Sequence, residues 1–321
     1  MTMRAAICTA YGPPDVIRIE TRPDPVPGPG MVRVSMRAAA VTRGDARVRG
    51  FDLPAGMRLM GRLAIGLRRP RRPILGPDGA GIVDAVGPGV TRFRPGDAVM
   101  ICPDAAMGCH ADYRLMPETG AIAALPPGLG FAEAASLVFG ANTALTFLRG
   151  KAGLRAGARV LVIGAAGPVG LAAVQIAAAD GATVSALARP AHHDRLRAQG
   201  AAAVAADLGA APGPFDLVLD TTGAFGTATL RERLAPHGRV ALVAAGLGPM
   251  LGTLANPLRR QKVIFAYAGG SRASLETIAA LAAAGALVPV IDLALPFAQI
   301  AAAHARLAER GRIGTVVVTF D

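Results

Sequence analysis

The sequence predicts an α/β protein in which a parallel, doubly wound sheet follows a β-rich N-terminal domain. Three observations carry this. From Phe131 to about Tyr267, short apolar runs alternate with helical stretches, the pattern of consecutive βαβ units. Residues 1–130 instead hold short strand-like runs cut by Gly and Pro turns. Third, the run Arg159-Val-Leu-Val-Ile-Gly-Ala-Ala-Gly-Pro-Val-Gly170 passes from a strand through a glycine-rich turn straight into a helix.

In the first region, residues 32–36, 82–86, 98–101 and 113–116 read as strands. Turn signals at 25–30, 87–89 and 95–97 separate them, which suggests an antiparallel, barrel-like domain. In the second region, 131–149 reads as a helix. The runs 160–163, 171–179, 183–188, 193–199, 217–220, 230–234, 240–244 and 263–267 then alternate. Residues 274–321 give two helices around Val288-Pro-Val-Ile-Asp-Leu and a terminal strand over 315–320. No internal repeat or long low-complexity linker interrupts the chain.

The glycine-rich turn has a chemical reading. A strand that delivers a nearly side-chain-free turn onto a helix N-terminus aims backbone N–H groups and the positive dipole end at one point, which suits a pyrophosphate. Gly167 would let the backbone approach the phosphates, and Gly170 would let the helix pack close to the sheet. Pro168 fits the first helical turn, where its missing N–H costs nothing. The first glycine of the usual fingerprint is Ala165 here, and Ala166 and Val169 fill the turn. Sites for NAD place an acid about 20 residues further on. Here the second strand ends in Arg189, with His192, His193 and Arg195 behind it. A guanidinium pairs with a 2′-phosphate that a carboxylate would repel, so the expected cofactor is NADPH.

With 321 residues the chain can form two domains and a large core. Mean hydropathy is +0.42, without a charge-free apolar run of about 18 residues. Three cysteines, Cys8, Cys102 and Cys109, do not suggest a disulfide framework, and the apolar part of the N-terminus is too short for a secretory signal, so a cytoplasmic location is expected. Net charge is +12, carried almost entirely by arginine, and densest at Arg68-Arg69-Pro70-Arg71-Arg72. Aromatics are 4% of the chain and none interleaves that cluster, which argues against single-stranded nucleic acid as a partner. The charge reads instead as a solvated loop and a field attracting a polyanionic cofactor.

Several motifs in order give a resemblance to a known family. They are Ala40-Val-Thr-Arg-Gly-Asp45, Ile74-Leu-Gly-Pro-Asp-Gly-Ala-Gly-Ile-Val83, Val86-Gly-Pro-Gly-Val-Thr-Arg-Phe-Arg-Pro-Gly-Asp97, Gly140-Ala-Asn-Thr-Ala144, the 164–170 turn, Asp220-Thr-Thr-Gly223 and Gly311-Arg-Ile-Gly-Thr-Val-Val-Val. The chain resembles the medium-chain dehydrogenase/reductase superfamily, in particular its zinc-free quinone oxidoreductase branch. The resemblance implies a GroES-like catalytic domain over residues 1–130, completed by 268–321, and a Rossmann domain over 131–267, with the active site in the cleft between them. Where zinc dehydrogenases of the superfamily carry Cys, His-Glu and Cys, this chain has Thr42, Pro77-Asp78 and Phe139-Gly140, which supply no thiolate or imidazole for tetrahedral zinc. The four-cysteine structural lobe is also missing. Cys102, Cys109, His110 and Asp112 lie near its place with spacing that fits no closed site. No metal is therefore expected.

The same resemblance assigns individual residues. Thr42 replaces an Asn that contacts the nicotinamide region, keeping a hydroxyl but not the amide, and Asp45 matches the family's acid, which braces that loop rather than transferring protons; with Tyr267 these are the catalytic candidates. Thr143 matches the residue that touches the nicotinamide ribose, with a helix-start hydroxyl as the other reading. Ala244 and Gly246 join the cofactor-binding residues, and Thr315 departs from a lysine frequent in the family. Tyr267 ends a strand beside the cleft, where it is either a substrate-facing phenol or a buried core tyrosine. The expected activity is NADPH-dependent, zinc-free reduction of quinones or α,β-unsaturated carbonyl compounds by a homodimer. The alternatives are a trans-acting enoyl reductase, whose carrier protein would meet the basic 58–72 stretch, and a non-catalytic NADPH-binding protein.

Overall fold

The structure is a computed structural model that describes residues 1–53 and 56–321. The N-terminal part contributes β1 (Thr2–Cys8), β2 (Ile17–Pro23), β3 (Met31–Val41), α1 (Arg43–Gly50), α2 (Arg58–Ile65), β4 (Gly79–Val86), β5 (Ala98–Ile101), β6 (Tyr113–Pro117) and β7 (Ile122–Ala124). The middle contributes α3 (Phe131–Leu145), β8 (Arg159–Ile163), α4 (Pro168–Ala179), β9 (Thr183–Leu187), α5 (His193–Ala198), β10 (Ala203–Ala205), β11 (Phe215–Asp220), α6 (Thr227–Arg231), β12 (Leu234–Leu242), α7 (Leu247–Gly252) and β13 (Lys262–Phe265). The chain closes with α8 (Arg272–Ala283), β14 (Ile291–Pro296), α9 (Ile300–Arg306) and β15 (Thr315–Thr319).

The middle strands form one six-stranded parallel sheet in the order β10-β9-β8-β11-β12-β13, with helices in the connections, a doubly wound α/β sheet. Its strands are buried on both faces, so Val160, Leu161, Val162 and Ile163 are all within 2% of full burial, and their sequence reads as an unbroken apolar run. The other large sheet is seven-stranded, in the order β14-β15-β3-β4-β5-β7, with β6 also paired to β3. β3, the longest strand described, alternates half-buried and buried residues as a one-sided strand does. β15 pairs antiparallel with β3, Val316 opposite Val41, so the C-terminus returns to the N-terminal sheet, as in a GroES-like domain with a C-terminal return.

α3 joins the two sheets. Its Ala134, Ala135, Val138, Ala141 and Ala144 are fully buried in one apolar cluster with Ala38, Ala80 and Met100 of the small-domain sheet, with Val160 and Val162 of the other, and with Ala173 of α4. The helical stretch Phe131–Lys151 is long and apolar enough to cross a membrane, but 72% of it is buried within the fold, as expected of a core helix.

The strand readings at 32–36, 82–86, 98–101 and 113–116 fall on β3 to β6, and the glycine turn does join a strand to a helix. Five strands were not legible: β1, β2, β7, β10 and β14. They are short, alanine-containing or only half-buried, and they are held by partners distant in sequence, Ala203 by Ser185 and Leu293 by Val316 for example. The run 230–234 is the end of α6 and a turn; β12 begins at Leu234.

Ile176 is fully buried on α4 within the cluster that joins the sheets. Ile176→Ala should lower the unfolding free energy in urea by about 2–5 kcal/mol, whereas Leu258→Ala, at a side chain that is 91% exposed, should stay within about 0.5 kcal/mol.

Candidate functional site

The glycine turn lies at the C-terminal edge of the parallel sheet. Gly164 leaves β8 at φ +76°, where a side chain would overlap the Thr221 hydroxyl and the Thr222 methyl group. Gly167 caps α4 in an extended conformation and Pro168 takes the first helical position. A Cβ on Gly170 would overlap the Gly164 carbonyl and lie 2.6 Å from Ala165 Cα, so the helix can sit on the turn only with glycine here. Ala165 and Val169 are buried; Ala166, Gly167 and Pro168 are half-buried. The N–H groups of Val169 and Gly170, in the first helical turn, have no carbonyl within α4 to bond. This is a concave, side-chain-free cradle with unpaired donors and a positive helix end, and it fits a dinucleotide pyrophosphate.

Neighbouring strand ends complete that edge. Asp220 is fully buried at the end of β11, and its Oδ1 accepts from Thr222 N (2.8 Å), Thr222 Oγ1 (2.7 Å) and Gly223 N (3.0 Å), which folds the next loop back on itself. Ala244 and Gly246 follow β12 half-buried, Gly246 capping α7. Beyond β9, Arg189 is exposed, and His193 bonds the Ala188 carbonyl through Nε2 (3.0 Å). Burial, and then the Arg189 charge, lowers the pKa of His192.

Two further arginines that sequence reasoning did not single out, Arg312 and Arg43, belong with Arg189, because Arg312 feels the charges of both the others. Arg312 comes from the turn before β15, and burial, then Arg43 at the start of α1, with Arg189 adding to it, lowers its pKa. Among the described residues none of these three arginines forms an ion pair. Their convergence from positions 43, 189 and 312 is a tertiary fact with no local signal.

On the small-domain side, Thr42 and Asp45 form a reciprocal cap at the start of α1. Asp45 Oδ2 accepts from Thr42 N (2.8 Å) and Thr42 Oγ1 (2.7 Å), and Oδ1 accepts from Gly76 N (2.8 Å). Both residues are buried, so the Thr42 hydroxyl proton is committed to Asp45 and Asp45 holds two loops together. Asp78 lies beside this pair, fully buried, with both carboxylate oxygens lacking a hydrogen-bond partner. Burial, reinforced by Asp45 and also by Asp104, pushes its carboxyl well above the usual carboxylate range.

Tyr267 is not a core residue: it is 68% exposed, and its hydroxyl donates to Asp104 Oδ2 at 2.5 Å. Burial and then the Asp104 carboxylate raise the phenol's pKa, so Tyr267 keeps its proton. Thr143 sits near the end of α3, not at its start; its hydroxyl donates to the Phe139 carbonyl (2.9 Å). Thr315, in the lysine's place, donates to the Ser136 carbonyl (2.8 Å), and Gly314 N donates to the Ala166 carbonyl (2.9 Å), tying the terminal strand to α3 and to the glycine turn.

The donors at the superfamily's zinc positions do not fit zinc. Thr42 has its hydroxyl engaged, Asp78 offers one carboxylate and Phe139-Gly140 offers none; among the described residues no three His, Cys, Asp or Glu side chains form a metal-holding group. Cys8, Cys102 and Cys109 are all buried free thiols.

Residues 28–142 match the family described as "Alcohol dehydrogenase GroES-like domain", and residues 192–318 match "Zinc-binding dehydrogenase". A solved NAD-dependent alcohol dehydrogenase is 31% identical and superposes with a TM-score of 0.83, covering 98% of this chain and 99% of that one. The chain belongs to the medium-chain dehydrogenase/reductase superfamily. This is an oxidoreductase superfamily that works with nicotinamide dinucleotides. The quinone oxidoreductase from Coxiella burnetii shares the fold, with a TM-score of 0.86 at 24% identity over 99% of each chain. The pikromycin polyketide synthase component PikAII of Streptomyces venezuelae is 36% identical over 178 residues, 56% of this chain; the chain spans only 4% of that protein's length.

In this dehydrogenase/reductase the Asp78 carboxyl has a consequence for stability. The unfolded carboxyl titrates near 3.8 and the folded one well above it, so between the two the native state holds the extra proton. The stability this contributes is fully present below 3.8 and is lost as pH rises through the folded value. Asp78→Asn removes the titration. Between about pH 4 and 8 its urea stability should therefore fall less with rising pH than that of the unaltered protein; identical pH profiles would rule this out.

Proposed function

We propose that the chain is an NADPH-dependent reductase that delivers hydride to quinones or α,β-unsaturated carbonyl compounds without zinc. The observation that carries this reading is the donor set beside the dinucleotide cradle. At the positions of the superfamily's catalytic metal stand a hydroxyl spent on Asp45 and a single buried carboxyl raised well above the usual carboxylate range. Alcohol oxidation needs a Lewis acid or base to draw off the hydroxyl proton, whereas an electron-poor acceptor does not. A bound dihydronicotinamide supplies the hydride. The protein's own work is positioning. The 164–170 turn and the first amides of α4 hold the pyrophosphate, Thr42 and Asp45 fix the loop facing the cleft, and Tyr267 holds a proton at its hydroxyl on Asp104. That phenol is the side chain we assign to hydrogen-bond the acceptor's developing oxyanion, by exchanging its Asp104 bond for one to substrate.

The preference for NADPH rests on Arg189, with Arg43 and Arg312 close by and a 2′-phosphate or pyrophosphate as the anion that relieves their mutual repulsion. A second reading is favoured by the likeness to PikAII: an enoyl reductase acting on a thioester-borne alkene. Two copies pair through β13, the exposed edge of the parallel sheet.

NADPH should bind at least about tenfold more tightly than NADH in a fluorescence titration, below the full 1.5–3 kcal/mol of a charge-assisted bond because Arg189 is exposed. Arg189→Ala should erase most of the difference, and equal affinities in the unaltered protein would refute the assignment. With NADPH, the protein should reduce 1,4-quinones or enones, retain this activity after chelator treatment, and oxidise ethanol or benzyl alcohol poorly. Robust alcohol oxidation that chelators abolish, with no quinone or enone turnover, would overturn the function. Reduction of an enoyl thioester in preference to every quinone tried would select the second reading.

A further inference from the structure

The opposite edge of the parallel sheet carries a feature that the dehydrogenase reading does not use. Arg231 at the end of α6, Pro236 near the start of β12, and Arg259, Arg260 and Gln261 just before β13 surround an open depression of about 410 Å³. Its lining contains three guanidinium groups and no carboxylate, and among the described residues none of the three forms an ion pair. Glu232, the next residue in the chain, is exposed and does not line it.

An arginine-rich chain has many solvated arginines, but Arg231 is only partly so. Its Nε and Nη2 are shielded from solvent and have no hydrogen-bond partner. Burial, with the Arg259 charge added, disfavours its protonated form. A guanidinium with desolvated, unmatched N–H donors beside a second guanidinium is a costly arrangement, and an anion seated between them would remove both penalties. Gln261 steadies the rim: its amide donates to the carbonyls of Arg231 (3.3 Å) and Ala235 (3.3 Å). The depression therefore has a fixed wall.

We infer that this depression is a second anion site, for a small molecule bearing a di- or triphosphate group. One carboxylate would neutralise one fork, whereas adjacent phosphates present enough oxygens for two or three forks at once, and the volume lies within the range of small-ligand sites. The site is distinct from the dinucleotide cradle. The strands run parallel, the cradle lies at their C-terminal ends, and the depression lies where β12 and β13 begin. Four paired residues, at about 3.3 Å each, put roughly 13 Å of sheet between the two edges.

The test exploits a chain without tryptophan. Pro236→Trp places a unique fluorophore in the lining, and inorganic pyrophosphate is titrated at constant ionic strength. A saturable change in emission is expected, with at least about tenfold weaker binding when Arg231→Gln and Arg259→Gln are added. No change, the same change with sodium chloride, or unaltered affinity in the arginine variants would overturn the inference. Equilibrium dialysis of pyrophosphate needs no tryptophan and covers the case in which Pro236→Trp misfolds. The Arg231→Gln/Arg259→Gln protein should bind one equivalent fewer per chain than the unaltered protein. Equal stoichiometry would be fatal to the proposal.

Discussion

Backbone-to-backbone contact around the glycine turn is the constraint on which the rest of the molecule depends. Gly140 of α3 lies where a Cβ would overlap the Pro168 carbonyl, and Gly170 lies where one would overlap the Gly164 carbonyl. Two helices and a turn thus meet with almost no side-chain volume between them. This lets α3 share one apolar cluster with both sheets, and it sets the helix end that faces a dinucleotide beside the loop that carries Thr42. The C-terminal return depends on the same contact, since Gly314 bonds the Ala166 carbonyl and Thr315 bonds the Ser136 carbonyl.

The neighbouring acids Asp45, Asp78 and Asp104 are held at different electrostatic costs. Asp45 is buried but accepts three short hydrogen bonds, two from backbone amides, which is how a buried carboxylate is made tolerable. Asp78 lacks such short bonds, and burial, with Asp45 adding to it, pushes its carboxyl well above the usual carboxylate range. Asp104, at φ +54° in a turn, meets the Tyr267 hydroxyl across 163 residues of sequence. Among the described residues no three His, Cys, Asp or Glu side chains here form a group that could hold a metal ion.

The positive charge is organised at both ends of the parallel sheet. Arg312 feels the charges of both Arg43 and Arg189; at the N-terminal ends of the strands Arg231, Arg259 and Arg260 ring an open depression. For Arg231 and Arg312, desolvation and like-charge repulsion disfavour the cation, and an anion is what would relieve it.

The strand–turn–helix of residues 159–179 was legible because its signals are local: an unbroken apolar run, glycines at fixed spacing, and proline at the first helical position. The lack of a thiolate or imidazole at Thr42 and Pro77-Asp78 is written in the sequence, and the bracing role of Asp45 was legible because the reciprocal cap spans three residues. Other features belong to the tertiary structure. Thr143 was readable as a helix-start hydroxyl, but α3 extends twelve residues before it and turns its hydroxyl onto Phe139. Tyr267 could be core or cleft from sequence; its exposure and its bond to Asp104 follow from how a distant turn meets the end of β13. Strands such as β10 and β14 exist because partners elsewhere supply their hydrogen bonds, and the arginine clusters exist because three separate loops converge. The sequence by itself determined what short-range sterics and periodicity encode. Long-range packing alone decided which polar groups are buried, which are paired and which face an anion, because burial and charge proximity are properties of the assembled chain.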